Sequence, residues 1–330
     1  MQKFLVPAAA SLIGAAVLLH REQKRRWSRR NAPPAPDAAL LATIDALVFD
    51  CDGVIYQHTT VLPGIPETLA ALRAAGKRVF FVTNSANASR EGLAKKLTKL
   101  GIAGVSPEHC ITSAYAAAAY LSTHHPHVKR AYTVGGGGLL EELRIAGIEP
   151  LGEADTGGLD SLIAAGGLEP DMPIDAVVVG MLAENLCYSR LAKAAAFARD
   201  RSRPFVGTNP DASWPVDGLS ALLPAGGCNV RYVSYAAERE PDVIVGKPSA
   251  DLARLVAELH GLRPEATLMV GDRCNTDVAF GHSIGWRAML VLTGCHGRDD
   301  VKDAADHEVP DYVASSVAVL KGCLLPSASS

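Results

Sequence analysis

The chain has 330 residues, 48% of them apolar and 20% charged, with 30 Gly and 20 Pro. That length buries one large core or two moderate ones, and the composition excludes wholesale disorder and a collagen-like or low-complexity chain. A formal net charge of −3 argues against a general nucleic-acid binder, which is usually basic.

Charge is unevenly placed along the chain. Of 32 basic and 35 acidic residues, seven and one fall in residues 1–36. Residues 4–19 form a 16-residue run without a charge, followed by Arg21, Lys24, Arg25, Arg26, Arg29 and Arg30. Pro33, Pro34 and Pro36 then form a linker that cannot continue a helix. As a helix the run spans about 24 Å, slightly short of the roughly 30 Å hydrocarbon core. A signal peptide would show a small-residue cleavage site after the run, and none is evident. A presequence would spread its Arg along an amphipathic helix; Arg following an apolar block favours an anchor. The positive-inside rule keeps the chain beyond the basic block in the cytosol. The expectation is a membrane-anchored, cytosol-facing enzyme with membrane contact through residues 4–19. Mitochondrial or plastid import, or a plain cytoplasmic chain with an inert extension, are the alternatives. Seven scattered cysteines without a CxxC pair read as reduced thiols, not as a disulfide framework or a zinc site.

Residues 46–49 are a short apolar run leading into Asp50, the pattern of a strand buried on both faces. A helix is expected at 67–75, closed by Gly76. A buried strand at 78–82 then leads into Thr83-Asn84-Ser85, and a helix at 90–100 ends at Gly101. Further strands are expected at 130–134, 176–179, 204–206, 243–245, 267–270 and 288–292. Helices lie between them, notably at 189–199, 249–259 and 276–284. Strands alternating with helices imply an α/β fold with a parallel sheet covered on both faces. In such sheets chemistry sits at the carboxyl ends of the strands. Those ends carry Asp50 and Asp52, then Thr83 and Asn84, then Lys247, then Asp272 and Asp277. Four carboxylates in one cleft repel unless a cation sits among them. Oxygen ligands suit Mg²⁺, and a lysine with a Thr hydroxyl suits phosphate oxygens. The residues alone describe a Mg²⁺-dependent phosphoryl-transfer site.

In Asp50-Cys51-Asp52-Gly53-Val54, Thr83, Lys247 and Gly271-Asp272 to Thr276-Asp277, all in order, the chain resembles the haloacid dehalogenase superfamily of phosphohydrolases. The resemblance covers roughly residues 40–300 and implies a Rossmann-like core. Thr83 and Lys247 are 164 residues apart, far too long for a loop. An inserted, smaller α/β cap domain is expected at 113–228, with the catalytic core at 40–112 and 229–330 and a separate segment at 1–36. Val82-Thr-Asn-Ser85 with Ser89-Arg90, Val206-Gly-Thr-Asn209-Pro-Asp211 and Val245-Gly-Lys-Pro-Ser249 resemble the phosphoglycolate phosphatase, pyridoxal phosphatase and 4-nitrophenylphosphatase group.

By that resemblance Asp50 is the nucleophile that forms an aspartyl-phosphate, and Asp52 is the general acid and then the base. Mg²⁺ is held by Asp50, the Asp52 carbonyl and Asp272, with Asp277 close by. Thr83, Asn84 and Lys247 bind the transferring phosphoryl group. The resemblance also implies a homodimer formed through the cap. Ser85 departs from the second Asn that relatives often carry, which puts the phosphate-loop geometry or substrate preference in doubt, not the reaction. Asn209 and Asp211, in the cap, are candidates for reading the leaving group. The expected substrate is a small phosphate ester, first 2-phosphoglycolate, then pyridoxal 5′-phosphate, with a phosphoprotein third. A catalytically silent membrane-tethered module is the alternative of a different class, and the intact motifs argue against it.

Several features have plainer explanations. Gly135-Gly-Gly-Gly138 lacks dinucleotide-loop spacing and reads as a strand-to-helix turn. That run is all a dehydrogenase would rest on. Cys51, between two acids, reads as packing rather than a redox brake. His124, His125 and His127 read as a solvated loop, and His282 as structural.

Overall fold

The computed structural model describes residues 32–164, 167–168, 173–214 and 221–324. Among these, two parallel sheets organise the chain. The strands are β1 (Ala46–Phe49), β2 (Arg78–Thr83), β3 (Cys110–Thr112), β4 (Arg130–Val134), β5 (Glu149–Leu151), β6 (Ala176–Val179), β7 (Phe205–Gly207), β8 (Val243–Ile244), β9 (Thr267–Gly271), β10 (Arg287–Val291) and β11 (Tyr312–Ala314). The first sheet has six strands in the order β11-β10-β9-β1-β2-β3, and the second has five in the order β8-β7-β6-β4-β5. Every pairing within the two is parallel. The second sheet takes in β8, so it runs past residue 228 to Ile244.

The apolar runs explain the centre of each sheet. All four residues of β1, and all five of β9 beside it, are buried, as central parallel strands must be. Burying each large side chain there contributes about 1.5–3 kcal/mol. One apolar cluster runs from Val48, Phe80 and Val82 of the first sheet through Ala114, Ala117 and Leu121 to Val178 and Val206 of the second. The helix it passes through spans Ser113–His124, so the two sheets share a core.

The helices that carry the site are capped by their own sequence. Ser89 accepts the N–H of Gly92 at the start of the helix Arg90–Lys99, and Ser249 accepts that of Leu252 at the start of Ala250–His260. Gly261 ends the latter in the left-handed region. The helix expected at 276–284 forms differently. It opens as a wide π-type turn over Cys274–Val278 and becomes α-helical only at Ala279–His282. The Asp277 carboxylate takes the N–H groups of Asp272 and Arg273, at 3.1 and 3.0 Å, and holds that turn open. His282 contacts the carbonyl of His307 at 2.9 Å and Asp311 at 3.0 Å, so it ties down the chain leading into β11, as the structural reading expects.

The anchor expected at residues 4–19 lies outside the described residues. No helix among those described is long and apolar enough to cross a membrane.

Candidate active site

Three adjacent strands deliver the key residues. Asp50 follows β1, Thr83 closes β2, and Asp272 follows β9. Lys247 arrives from the second sheet, three residues beyond β8, and is buried. Its ammonium donates to Asp50 Oδ1, to Asp277 Oδ1 at 2.7 Å and to the carbonyl of Val82 at 3.2 Å. Three protons meet three acceptors. Carboxylate oxygens of Asp50, Asp272 and Asp277 lie within 4.8 Å of one another. Gly271 lets Asp277 come this close, because a Cβ there would sit 2.1 Å from the Cβ of Asp277.

Asn84 is a hub. Its side chain accepts the N–H of Lys247 at 2.7 Å, and donates to the Lys247 carbonyl at 3.1 Å and to Asp211 Oδ1 at 3.3 Å. Its carbonyl accepts from Asn209 Nδ2 at 2.9 Å and from the Ser113 hydroxyl. Asn209 Oδ1 accepts the N–H of Asp211 at 3.1 Å. Asn209 and Asp211 thus lie against Asn84, 125 and 127 residues away in sequence. All nine residues singled out from the sequence — Asp50, Asp52, Thr83, Asn84, Asn209, Asp211, Lys247, Asp272 and Asp277 — line one cavity of about 710 Å³.

Burial dominates the electrostatics. It pushes Asp50 well above the ordinary carboxylate range, against the pull of Lys247 and with the push of Asp277 and Asp272. It lifts Asp272 to about 6, with Asp277 adding to the rise. For Lys247 burial acts downward, but Asp277 and Asp50 outweigh it and its pKa rises. Uncompensated acids around one buried lysine form a hard oxygen donor set, and the residues present fit a divalent cation such as Mg²⁺. Asp52 opens into the cavity, yet its surroundings raise its pKa, opposed by Lys96 and by a bond from the Tyr56 hydroxyl at 3.4 Å. A raised carboxyl suits a proton donor. Burial and the flanking acids hold the Cys51 thiol protonated, which fits packing.

Other cavity residues had no signal in the sequence. Tyr56 and Lys96 face Asp52, with the Lys96 ammonium 3.6 Å from the Tyr56 ring centroid. Met181, just beyond β6, and Trp214, in a two-residue strand (Ser213–Trp214) paired with Leu223, add apolar wall, and Arg273 adds a cation. The glycine run after β4 is a strand-to-helix turn. His124 stacks on Tyr120 at 4.6 Å, and among the described residues the three acids are the group placed to hold a metal.

A family profile described as haloacid dehalogenase-like hydrolase matches residues 47–149, and a HAD-hydrolase-like profile matches 244–320. The chain belongs to the haloacid dehalogenase-like hydrolase family. It is 36% identical to phosphoglycolate phosphatase 2 of Arabidopsis thaliana, over 85% of this chain and 93% of that protein. It is 38% identical to the glycerol-3-phosphate phosphatase of Mus musculus, over 85% and 91%. Two solved structures share the fold. One is a p-nitrophenyl phosphatase from Archaeoglobus fulgidus, with TM-score 0.72 and 29% identity over 88% of this chain and 100% of that one. The other is a glycerol phosphate phosphatase from Mycobacterium tuberculosis in complex with magnesium, with TM-score 0.72 and 28% identity over 86% and 78%. Membership makes the chain a phosphatase-type hydrolase with a Rossmann-like core.

The membrane-anchored, cytosol-facing placement is corrected here. A stretch of 85% of this chain accounts for 93% of the Arabidopsis phosphatase, and no helix among the described residues is long and apolar enough to cross a membrane, so the anchored placement has no support. The physical reason was already present, since an apolar run of about 24 Å falls short of a roughly 30 Å hydrocarbon core.

Proposed function

We propose that this hydrolase is a Mg²⁺-dependent phosphatase of small phosphate monoesters, acting through an aspartyl-phosphate on Asp50. The observation that carries it is the buried Lys247 bonded to both Asp50 and Asp277, with Asp272 completing a triangle of carboxylates. When bound, the cation supplies the positive charge that lets these acids coexist beside a phosphate dianion. Asp50, Asp272 and the Asp52 carbonyl would hold it, with Asp277 adjacent.

An Asp50 oxygen attacks phosphorus, and the bond to the leaving alcohol oxygen breaks. Asp52 gives that oxygen its proton. Asp52, now a carboxylate, takes a proton from water as the water oxygen attacks phosphorus, and the bond to Asp50 breaks to release phosphate. Thr83, Asn84 and Lys247 bind the transferring group, and the Asn84 side chain also braces Lys247.

The second sheet acts as the cap, and its Asn209 and Asp211 read the leaving group. We place a homodimer interface on this half. The names of the relatives favour 2-phosphoglycolate and glycerol 3-phosphate as substrates. The Arg273 cation in the cavity wall favours the carboxylate of 2-phosphoglycolate. Comparing kcat/KM for these two and pyridoxal 5′-phosphate should show 2-phosphoglycolate ahead by about a hundredfold, some 2.7 kcal/mol of transition-state discrimination. A lead for either competitor overturns the choice of substrate, and no turnover of any ester overturns the function.

A further inference from the structure

One buried ion pair outside the reacting groups joins the two halves of the molecule. Glu142 lies on the helix Gly137–Ile145 that follows β4, and it is 1% exposed. Its Oε1 accepts the backbone N–H of Arg90 at 2.7 Å and Arg90 Nε at 3.2 Å. Its Oε2 lies 3.2 Å from Arg90 Nη2. The guanidinium also lies over the ring of Tyr115, its Cζ 3.9 Å from the centroid.

Arg90 is the first residue of the helix Arg90–Lys99, where backbone N–H groups lack helical partners and favour an anion. The segment 84–89 runs from β2 to this helix. Four of its residues, Asn84, Ser85, Asn87 and Ala88, line the cavity. The Glu142 helix touches the same segment at two more points. Gly138 N–H donates to the carbonyl of Asn87 at 3.2 Å. A Cβ on Gly138 would lie 2.3 Å from the carbonyl carbon of Ala88, so the two backbones are in direct contact.

The loop is therefore fixed at both ends. Strand β2 holds Thr83 at one end, and a carboxylate from the other half of the molecule holds Arg90 at the other. Between them act the bonds of Asn84 already described, the two Gly138 contacts, and local bonds from Ser85 N–H to the Thr83 hydroxyl at 3.1 Å and from Asn87 N–H to the Ser85 hydroxyl at 3.3 Å. We propose that Glu142 is a positioning residue for the phosphate-binding loop, acting through Arg90, so that the second half of the molecule shapes the phosphoryl site as well as the leaving-group pocket. The inference rests on the assignment of Thr83 and Asn84 to phosphate.

Hydrolysis of 4-nitrophenyl phosphate with Mg²⁺, with inorganic phosphate as competitor, tests it. Glu142→Ala should raise KM and the phosphate inhibition constant together by about tenfold, because small displacements of positioning groups carry large costs. Glu142→Gln, which keeps an acceptor for the Arg90 N–H, should stay within about threefold of wild type. A purely structural role would lower the folded fraction and apparent kcat, and would leave KM and the inhibition constant unchanged. Lys193→Met, which breaks the Lys193–Asp155 pair of 2.6 Å in the second half, is the control and should lose stability without that rise. If Glu142→Ala does not fold, Arg90→Lys should show a smaller rise of the same kind. Wild-type inhibition constants in the folded variants, or an equal rise in the control, overturn the proposal. An inactive wild-type protein overturns the phosphatase reading itself.

Discussion

Asp50→Asn is expected to abolish turnover, by on the order of 10⁴-fold or more, while the protein stays folded. The substitution preserves shape and replaces the anionic carboxylate by a neutral, weakly nucleophilic amide. Lys247 retains Asp277 and the Val82 carbonyl as partners, so its charge is not stranded. Burial, Asp277 and Asp272 disfavour the Asp50 charge in the metal-free fold, so neutralising it is expected to leave Tm in EDTA unchanged or higher. Phosphate release, read beside a circular dichroism melt, checks both parts. Substantial activity in a folded Asp50→Asn protein would remove the nucleophile from the mechanism.

Chelation has the second large effect. EDTA should bring phosphate release to background, and Mg²⁺ should restore it. A cation that binds only the folded chain also adds stability by mass action, so Tm should fall on chelation. The stripped protein should carry a distinct pH dependence. Asp272 is lifted to about 6 by burial and by Asp277. A carboxyl with a raised folded pKa binds its proton more tightly when folded. Its contribution thus favours the fold below about pH 4, the unfolded value, and is lost as pH rises toward 6. Tm measured across that range should fall with rising pH more steeply in EDTA than in Mg²⁺. Full activity in chelator would rule out the metal.

The reacting groups were legible in sequence because parallel sheets gather strand ends. The apolar runs ending at Phe49, Val82 and Val270 needed only to pair side by side for Asp50, Thr83 and Asp272 to meet, and the register pairs Phe49 with both Phe81 and Val270. Lys247 followed a run that proved to belong to the second sheet; its spacing alone did not reveal that. Short edge strands escaped notice. Glu149–Leu151 contains Pro150, which an edge tolerates and a pattern search discounts. Tyr312–Ala314 and Cys110–Thr112 have three residues each, too few for periodicity. The contacts of Glu142 with Arg90 and of Lys96 with Tyr56 are tertiary, and nothing local marks them. The apolar run at 4–19 and the basic block after it carry the chemistry of an anchor, and they lie outside the described residues.

The proposed reaction passes through a covalent bond between Asp50 and phosphorus. It is tested by mixing wild-type protein, Mg²⁺ and a ³²P-labelled phosphate monoester, quenching in acid within the first turnover and mapping the label. A hydroxylamine-labile acyl phosphate is expected on the peptide that carries Asp50, absent in Asp50→Asn. Turnover without a labelled protein, or a label on any other residue, would contradict it.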